Sequence, residues 1–166
     1  MLDLIKTRRS IRIFSGKNVD DELVEKILEA GRWAPSGMNN QPWRFAIVKD
    51  QGLKNKLSLL TKYSPVISSA NVLIAVFLDQ ASGYDRTKDC LAVGACVQNM
   101  LLAIHWLGLG SVWLGEILKN GAEVAEILEA PLGHELMAVI ALGYVAGPDP
   151  KITERRELSE LTFFRK

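Results

Sequence analysis

The feature that most limits how this chain can fold is an almost uninterrupted apolar run, VLIAVFL, at residues 72–78. A strand with one face in water alternates polar and apolar residues, whereas a strand covered on both faces is apolar throughout. The run therefore predicts a central strand with other structure packed on each side of it. Residues 137–144 (MAVIALGY) predict a second buried strand, and a β-rich run at residues 44–48 predicts a third.

The longest helical pattern extends from about residue 87 to residue 106 and is hydrophobic nearly all round. It is interrupted by Gln98, Asn99 and His105, and it lacks an uncharged stretch of membrane-spanning length with membrane flanks. We therefore interpret it as a helix buried in a core or in a subunit interface, and not as a transmembrane span. The chain is long enough for one domain with a substantial core, and we assign residues 1–166 to a single domain.

Composition gives no sign of a nucleic-acid or membrane partner. The chain is 48% hydrophobic and 23% charged with a formal net charge of +1, so any basic site has to be local. The first six residues lack the apolar core and the cleavage site of a signal peptide, so a cytoplasmic protein is expected. Cys90 and Cys96 fit neither a disulfide nor a redox pair, and His105 and His134 have no companion at metal-ligand spacing, so we expect no metal site.

The segment RRSIRIF, which begins at Arg8, concentrates three arginines and a serine near the N-terminus. Alternate side chains of an extended chain share a face, which would place Arg8, Ser10 and Arg12 together. Ile11 and Ile13 would then face the core. Guanidinium groups bind phosphate through paired hydrogen bonds, so the segment is a candidate phosphate site, with a solvated basic turn as the alternative.

The loop at residues 34–43 (APSGMNNQPW) joins the helix that follows Asp20 to the strand at residues 44–48. Its prolines, glycine and asparagines exclude a regular element. With Trp33 just before it and Trp43 at its end, the loop holds amides and large aromatic side chains together. This composition fits either a ligand-binding loop or a corner whose aromatic residues cap the core.

Residues 108–115 (GLGSVWLG) only superficially resemble a dinucleotide-binding motif. They follow a helix and open a strand, and Trp113 stands where the third glycine belongs. The glycines are expected to end the long helix and to let the backbone approach a flat ligand. A second basic pair, Arg155 and Arg156, precedes large apolar residues that predict docking of the tail. Together with the loop and the first arginines, these features suit a planar cofactor with a phosphate tail.

Three segments, read in order, carry a resemblance to a known family: RRSIRIF from Arg8, APSGMNNQPWRF from Ala34 and GLGSVWLG from Gly108. They resemble the FMN-dependent nitroreductase family, and the resemblance extends from about Leu2 to Leu161. It implies an α+β fold with a central, mainly antiparallel sheet flanked by helices. It also implies an intertwined homodimer with two FMN sites at the subunit interface.

The resemblance assigns roles to particular residues. Arg8, Arg9, Ser10, Arg155 and Arg156 are expected to hold the FMN phosphate and ribityl chain, Arg12 the pyrimidine edge, and Leu114 and Gly115 the region near flavin N5. Pro35, Ser36, Gly37 and Asn39 are expected to contact the flavin from the other subunit, with Met38 beside the substrate. No side chain is assigned a catalytic role, because the flavin carries the chemistry.

The implied activity is that of an FMN-dependent NAD(P)H oxidoreductase. Hydride from NADH or NADPH would pass through flavin N5 to an electron-poor small molecule such as a nitroaromatic or a quinone, in a ping-pong cycle. Residues 62–66 do not match the family's ring contacts, and the short stretch at residues 79–88 leaves acceptor choice open. The alternatives are a module that stores or senses FMN without turnover, and an interaction protein that binds no flavin.

Overall fold

The structure is a computed structural model that describes residues 1–148, 150 and 153–166. Its helices are α1 (Leu2–Thr7), α2 (Asp21–Arg32), α3 (Gln51–Ser58), α4 (Ser64–Ser69), α5 (Arg86–Trp106), α6 (Gly121–Ile127) and α7 (Leu158–Leu161). Its strands are β1 (Trp43–Val48), β2 (Val72–Asp79), β3 (Gly110–Leu114) and β4 (His134–Gly143). Short 3₁₀ turns at Gly37–Asn39 and Glu116–Asn120 complete the described elements.

The four strands form one antiparallel sheet in the order β1-β2-β4-β3. Strand β2 is therefore internal, and every one of its residues is buried. This confirms the central strand predicted from residues 72–78, and the mainly antiparallel sheet is confirmed with it.

Helices cover both faces of the sheet, which explains why β2 is apolar throughout. Ile74 and Val76 on one face belong to the core formed with α2 and α5, where Ile27 and Met100 are fully buried. On the other face, Phe77 packs in a second core with side chains of α3, α4 and α6. Alternate residues of a strand point to opposite faces, so both sets have to be apolar.

Helix α5 is the longest described element, with 21 residues that span about 30 Å. It is long and apolar enough to cross a membrane by length and composition alone, but 44% of its most apolar window is buried inside the fold. One side packs on the sheet and on α2, as predicted for a core helix. On the opposite side, Leu91 is 70% exposed and Trp106 is 73% exposed.

The alternation expected after Arg8 is wrong in part. Ile13 is 57% exposed, whereas Phe14 is buried and Ile11 packs against the core. The two inward-facing residues are thus three positions apart and not two. The strand-like alternation is lost because the chain hydrogen-bonds first to β3, through the Ile11 amide, and then to the segment after β4. There, Phe14 makes an isolated bridge with Val145.

Pro65 lies in the first turn of α4, where proline is tolerated. One other expectation needs correction. The two tryptophans around the loop do not stay together: Trp43 is buried in the core, and Trp33 is exposed at the end of α2.

Candidate functional site

A small cavity of about 140 Å³ lies where the end of α1, the last turn of α5 and the start of β3 meet. It is lined by Thr7, Arg8, Arg9, Ile11, His105, Leu109, Ser111, Val145 and Pro150. The segment after α1 lies directly on β3, because Ser10 bridges Ser111 and the Ile11 amide donates to the Ser111 carbonyl at 2.9 Å. A Cβ at Gly110 would lie 2.8 Å from Ile11, so glycine permits this close approach.

The described residues that line the cavity include two arginines and no carboxylate, so their net charge is positive. Burial and the neighbouring charges of Arg9 and Arg155 lower the pKa of Arg8. Within the described part of the chain, none of these three arginines forms a salt bridge. Crowded cations of this kind fit a phosphate group, which accepts several charge-assisted hydrogen bonds.

The donors of the cluster are only partly used. Arg9 donates to the carbonyls of Lys6 and Arg8, and Arg155 donates to Thr153 and to the Glu154 carbonyl. The Arg8 guanidinium lines the cavity and donates to no group among the described residues.

The structure brings together only part of the predicted phosphate set. Arg8 and Arg9 line the cavity, and Arg155 comes from the tail to within electrostatic reach of Arg8. Arg12 points to solvent with its Nη1 3.4 Å from the Ser10 carbonyl oxygen, and Arg156 is exposed. Neither of these two is among the described residues that line the cavity. Ser10 is partly buried beside it.

The loop that contains the predicted flavin contacts Pro35, Ser36, Gly37 and Asn39 is tightly shaped. Met38, Asn39 and Gln41 have φ values of 53°, 54° and 46°, a left-handed conformation that non-glycine residues rarely adopt. Ser36 Oγ accepts a hydrogen bond from the Gln41 amide. Met38 is 87% exposed at the tip.

Asp89 fixes this loop to the first turn of α5. Its carboxylate is 2% exposed, and it accepts hydrogen bonds from Asn40 Nδ2 at 2.7 Å and from the amides of Tyr84 and Asp85. Burial raises the pKa of Asp89, but these hydrogen bonds and the charge of Lys88 outweigh burial, so the pKa lies below its ordinary value. Sequence reasoning missed Asp89, because an acidic residue in the first turn of a helix is common.

Gly37 packs within its own chain. A Cβ at this position would lie 2.1 Å from the Tyr84 hydroxyl oxygen, so the tyrosine occupies the space that a side chain would need. The glycine thus brings the loop against the segment that leads into α5.

The predicted turn at Leu114 and Gly115 ends β3. Leu114 is buried, and Gly115 is exposed with open space where a Cβ would be. The next residue, Glu116, pairs with Lys119, accepts from Thr61 Oγ1 at 2.6 Å and from the Lys62 amide, and has a pKa lowered to about 2 by these contacts. Thr61 and Lys62, at the start of the segment that does not match the family's ring contacts, are therefore attached to this turn.

The arginine cavity and the loop lie at opposite ends of α5. His105 in the last turn lines the cavity, and Asp89 in the first turn holds the loop. At 1.5 Å per residue the two positions are separated by about 24 Å along the helix. One copy of the chain therefore does not place all the predicted site residues around one cavity.

The chain is similar to known proteins along most of its length. It matches the Nitroreductase family model over residues 5–62 and 56–144. It is 38% identical over 149 residues to a candidate NADH dehydrogenase/NAD(P)H nitroreductase of Archaeoglobus fulgidus, covering 86% of this chain and 84% of the relative. It is 30% identical over 176 residues to the iodotyrosine deiodinase of Thermotoga neapolitana, covering 91% of each chain.

The fold matches that of a solved structure, a candidate nitroreductase from Desulfovibrio desulfuricans in complex with FMN. The two chains have a TM-score of 0.93 and 44% sequence identity, covering 99% of this chain and 96% of the other. The antiparallel sheet flanked by helices is thus the nitroreductase-like fold expected from the sequence. Since the family model spans residues 5–144 and the relatives align over most of their own length, this chain belongs to the nitroreductase family.

Proposed function

We propose that the protein is an FMN-dependent NAD(P)H oxidoreductase that reduces an electron-poor small molecule such as a nitroaromatic or a quinone. The observation that carries this proposal is the cluster of Arg8, Arg9 and Arg155, which has no carboxylate partner in the described part of the chain. The FMN complex of the relative from Desulfovibrio desulfuricans supports the choice of cofactor.

The residues of the cluster fit the phosphate end of FMN. Arg8 has unused donors, and Arg9 and Arg155 add charge that would neutralise a buried dianion. Strand β3 leads away from this end for about 16 Å to the open backbone at Gly115, where an amide can donate to the flavin ring. We assign Arg12 to the pyrimidine edge, where its exposed charge would stabilise negative charge on the ring. FMN supplies the two-electron chemistry when bound, so no acid or base is required of the chain.

The site requires a second copy of the chain. The loop with Met38 is fixed about 24 Å from the arginine cavity along α5, so it can complete only the site of a partner molecule. In this homodimer, Pro35, Ser36, Gly37 and Asn39 of one copy contact the FMN bound by the other, and Met38 lies beside the substrate. We place the dimer in the cytoplasm.

Exposed apolar surface supports the same arrangement. An open, mostly apolar groove of about 680 Å³ lies between α2 and α5, with Trp33 and Trp106 on its walls. The tail also exposes four large apolar side chains, those of Leu158, Leu161, Phe163 and Phe164. Exposed apolar surface on this scale is typical of a protein that associates.

The homodimer is testable by sedimentation in an analytical ultracentrifuge. We expect the wild-type protein to be a dimer and Leu91→Glu to shift it toward monomer with loss of FMN, because a charge would be buried on the open side of α5. Leu132→Glu makes the same chemical change at a fully exposed position of the turn before β4 and should stay dimeric. A monomer that retains FMN would refute the shared site.

The activity is tested by mixing FMN-loaded protein anaerobically with NADH or NADPH. We expect rapid loss of the oxidised-flavin absorbance with at least one donor, followed by its return when a quinone or a nitroaromatic is added. Unchanged absorbance with both donors would refute the oxidoreductase and favour a module that stores or senses FMN. A colourless protein that does not bind added FMN would refute both functions.

A further inference from the structure

His105 has a fixed tautomer at the edge of the arginine cavity. Its Nε2 lies 2.9 Å from Thr7 Oγ1, and the same hydroxyl oxygen lies 2.7 Å from the Asp3 carbonyl oxygen. A carbonyl oxygen only accepts, so the hydroxyl proton is directed to Asp3 and Oγ1 accepts from the histidine. The proton of a neutral His105 ring is therefore on Nε2.

The other ring nitrogen, Nδ1, is the atom that gains a proton when His105 becomes charged. Nδ1 has no hydrogen-bond partner among the described residues, and it is not enclosed, although the ring lines the arginine cavity. Burial, Arg8 and Arg9 lower the pKa of His105, which favours the neutral ring when the cavity holds no anion.

Few charged groups of the described residues lie on the elements around the ring. Helix α1, which packs against α5, carries Asp3 and Lys6; the segment after it carries Arg8 and Arg9, and Arg155 of the tail lies near Arg8. Strand β3 presents only the uncharged Ser111 to the cavity. The charged residues of α2 line the groove on the other side of α5. Among the described residues, the charged side chains that act on the pKa of His105 are thus those of the cations Arg8 and Arg9.

We propose that His105 is a proton-linked ligand of the cavity's phosphate monoester: it takes up a proton from solvent at Nδ1 as the ester binds and donates that N–H to a phosphate oxygen. With FMN as the ester, the inference rests on the proposed function and adds a binding residue to it. A phosphate dianion reverses the local field that Arg8 and Arg9 create, so the charged form of the histidine is favoured in the complex. No covalent bond is formed or broken.

The affinity for FMN should depend on pH in a defined direction. The proton affinity of His105 is higher in the complex than in the free protein, so binding strengthens as pH falls through the range between the two pKa values. Below about pH 6 the phosphate itself begins to gain a proton, which opposes this trend. Riboflavin, which lacks the phosphate, should bind with no linked proton.

The test is calorimetric titration with FMN at about pH 7 in two buffers of different ionisation enthalpy, which counts the protons taken up on binding. Wild-type protein should take up a fraction of a proton that His105→Gln abolishes, and FMN affinity of the variant should fall by about tenfold to a hundredfold. His134→Gln, which changes the only other histidine in the chain, should behave as wild type.

Inorganic phosphate serves as a second probe that does not depend on flavin. Proton uptake with phosphate but no binding of FMN would support the role of His105 and refute the proposed function. FMN binding whose proton uptake and affinity are unchanged in His105→Gln would overturn the role of His105 alone. A wild-type protein that binds neither probe would overturn both.

Discussion

Replacing Asp89 by alanine is expected to lower the free energy of unfolding by about 3 to 4 kcal/mol. The substitution removes the acceptor for Asn40 Nδ2 and for the amides of Tyr84 and Asp85, at a site where the carboxylate is almost fully buried. A buried donor without an acceptor loses the hydrogen bonds that water would give it. Urea unfolding followed by far-ultraviolet circular dichroism measures the loss.

The effect should depend on pH in a defined direction. The folded-state pKa of Asp89 lies below the ordinary value of 3.8, so its stabilisation is present above that value and is lost as pH falls through the lowered pKa. The free energies of unfolding of wild type and Asp89→Ala should therefore differ by the full amount at neutral pH and become similar in strong acid.

Asp21→Ala is the matched control, because Asp21 pairs with Lys49 but its side chain is 91% exposed. An exposed ion pair contributes little, so its loss should cost less than about 1 kcal/mol. Equal losses in the two variants would mean that other contacts hold the loop to α5.

Arg8→Glu is expected to weaken FMN binding more than about a hundredfold while leaving the ligand-free protein as stable as the wild type. The new carboxylate repels the phosphate and can pair with Arg9 and Arg155, which relieves the repulsion that lowers the pKa of Arg8. Arg8→Ala, which removes one charge-assisted contact without adding repulsion, should lose only about 1.5 to 3 kcal/mol of FMN binding energy. Quenching of flavin fluorescence gives the affinities, and thermal unfolding gives the stability.

Lys56→Glu makes a similar reversal of charge on the exposed surface of α3 and should leave FMN binding unchanged. If both reversals weaken binding equally, the effect is one of net charge and not of the arginine cavity. If Arg8→Glu binds FMN as wild type does, the phosphate is held elsewhere.

The sequence predicted best what depends on local pattern. The apolar run at residues 72–78 could only be a strand covered on both faces, and the glycines after α5 could end a helix but could not form a dinucleotide site. The prediction that Ile13 faces the core was wrong for a local reason. The chain changes its hydrogen-bonding partner between Ile11 and Phe14 and loses the alternation of a strand.

Other features depend on contacts between distant parts of the chain. The family resemblance, and not the spacing of the residues, predicted that Arg155 joins Arg8 at a phosphate site. In the fold, Arg155 lies near enough to Arg8 to lower its pKa, although nearly the whole chain separates the two in sequence. The roles of Asp89 and Glu116 were not predicted, because each acts through partners from separate segments, Asn40 in one case and Thr61 in the other. Spacing alone does not encode such pairs.

The arginine cavity and the loop lie at opposite ends of α5, and this gives the proposed dimer a genetic property. Each active site takes its arginines from one copy and its loop from the other. A defect in the arginines and a defect in the loop, carried by different subunits, therefore do not damage both sites. If one subunit carries Arg8→Glu and its partner carries Asp89→Ala, both lesions fall in the same site. The second site of that mixed dimer takes its arginines and its loop from unaltered segments, so a variant with defective arginines and a variant with a defective loop can complement each other.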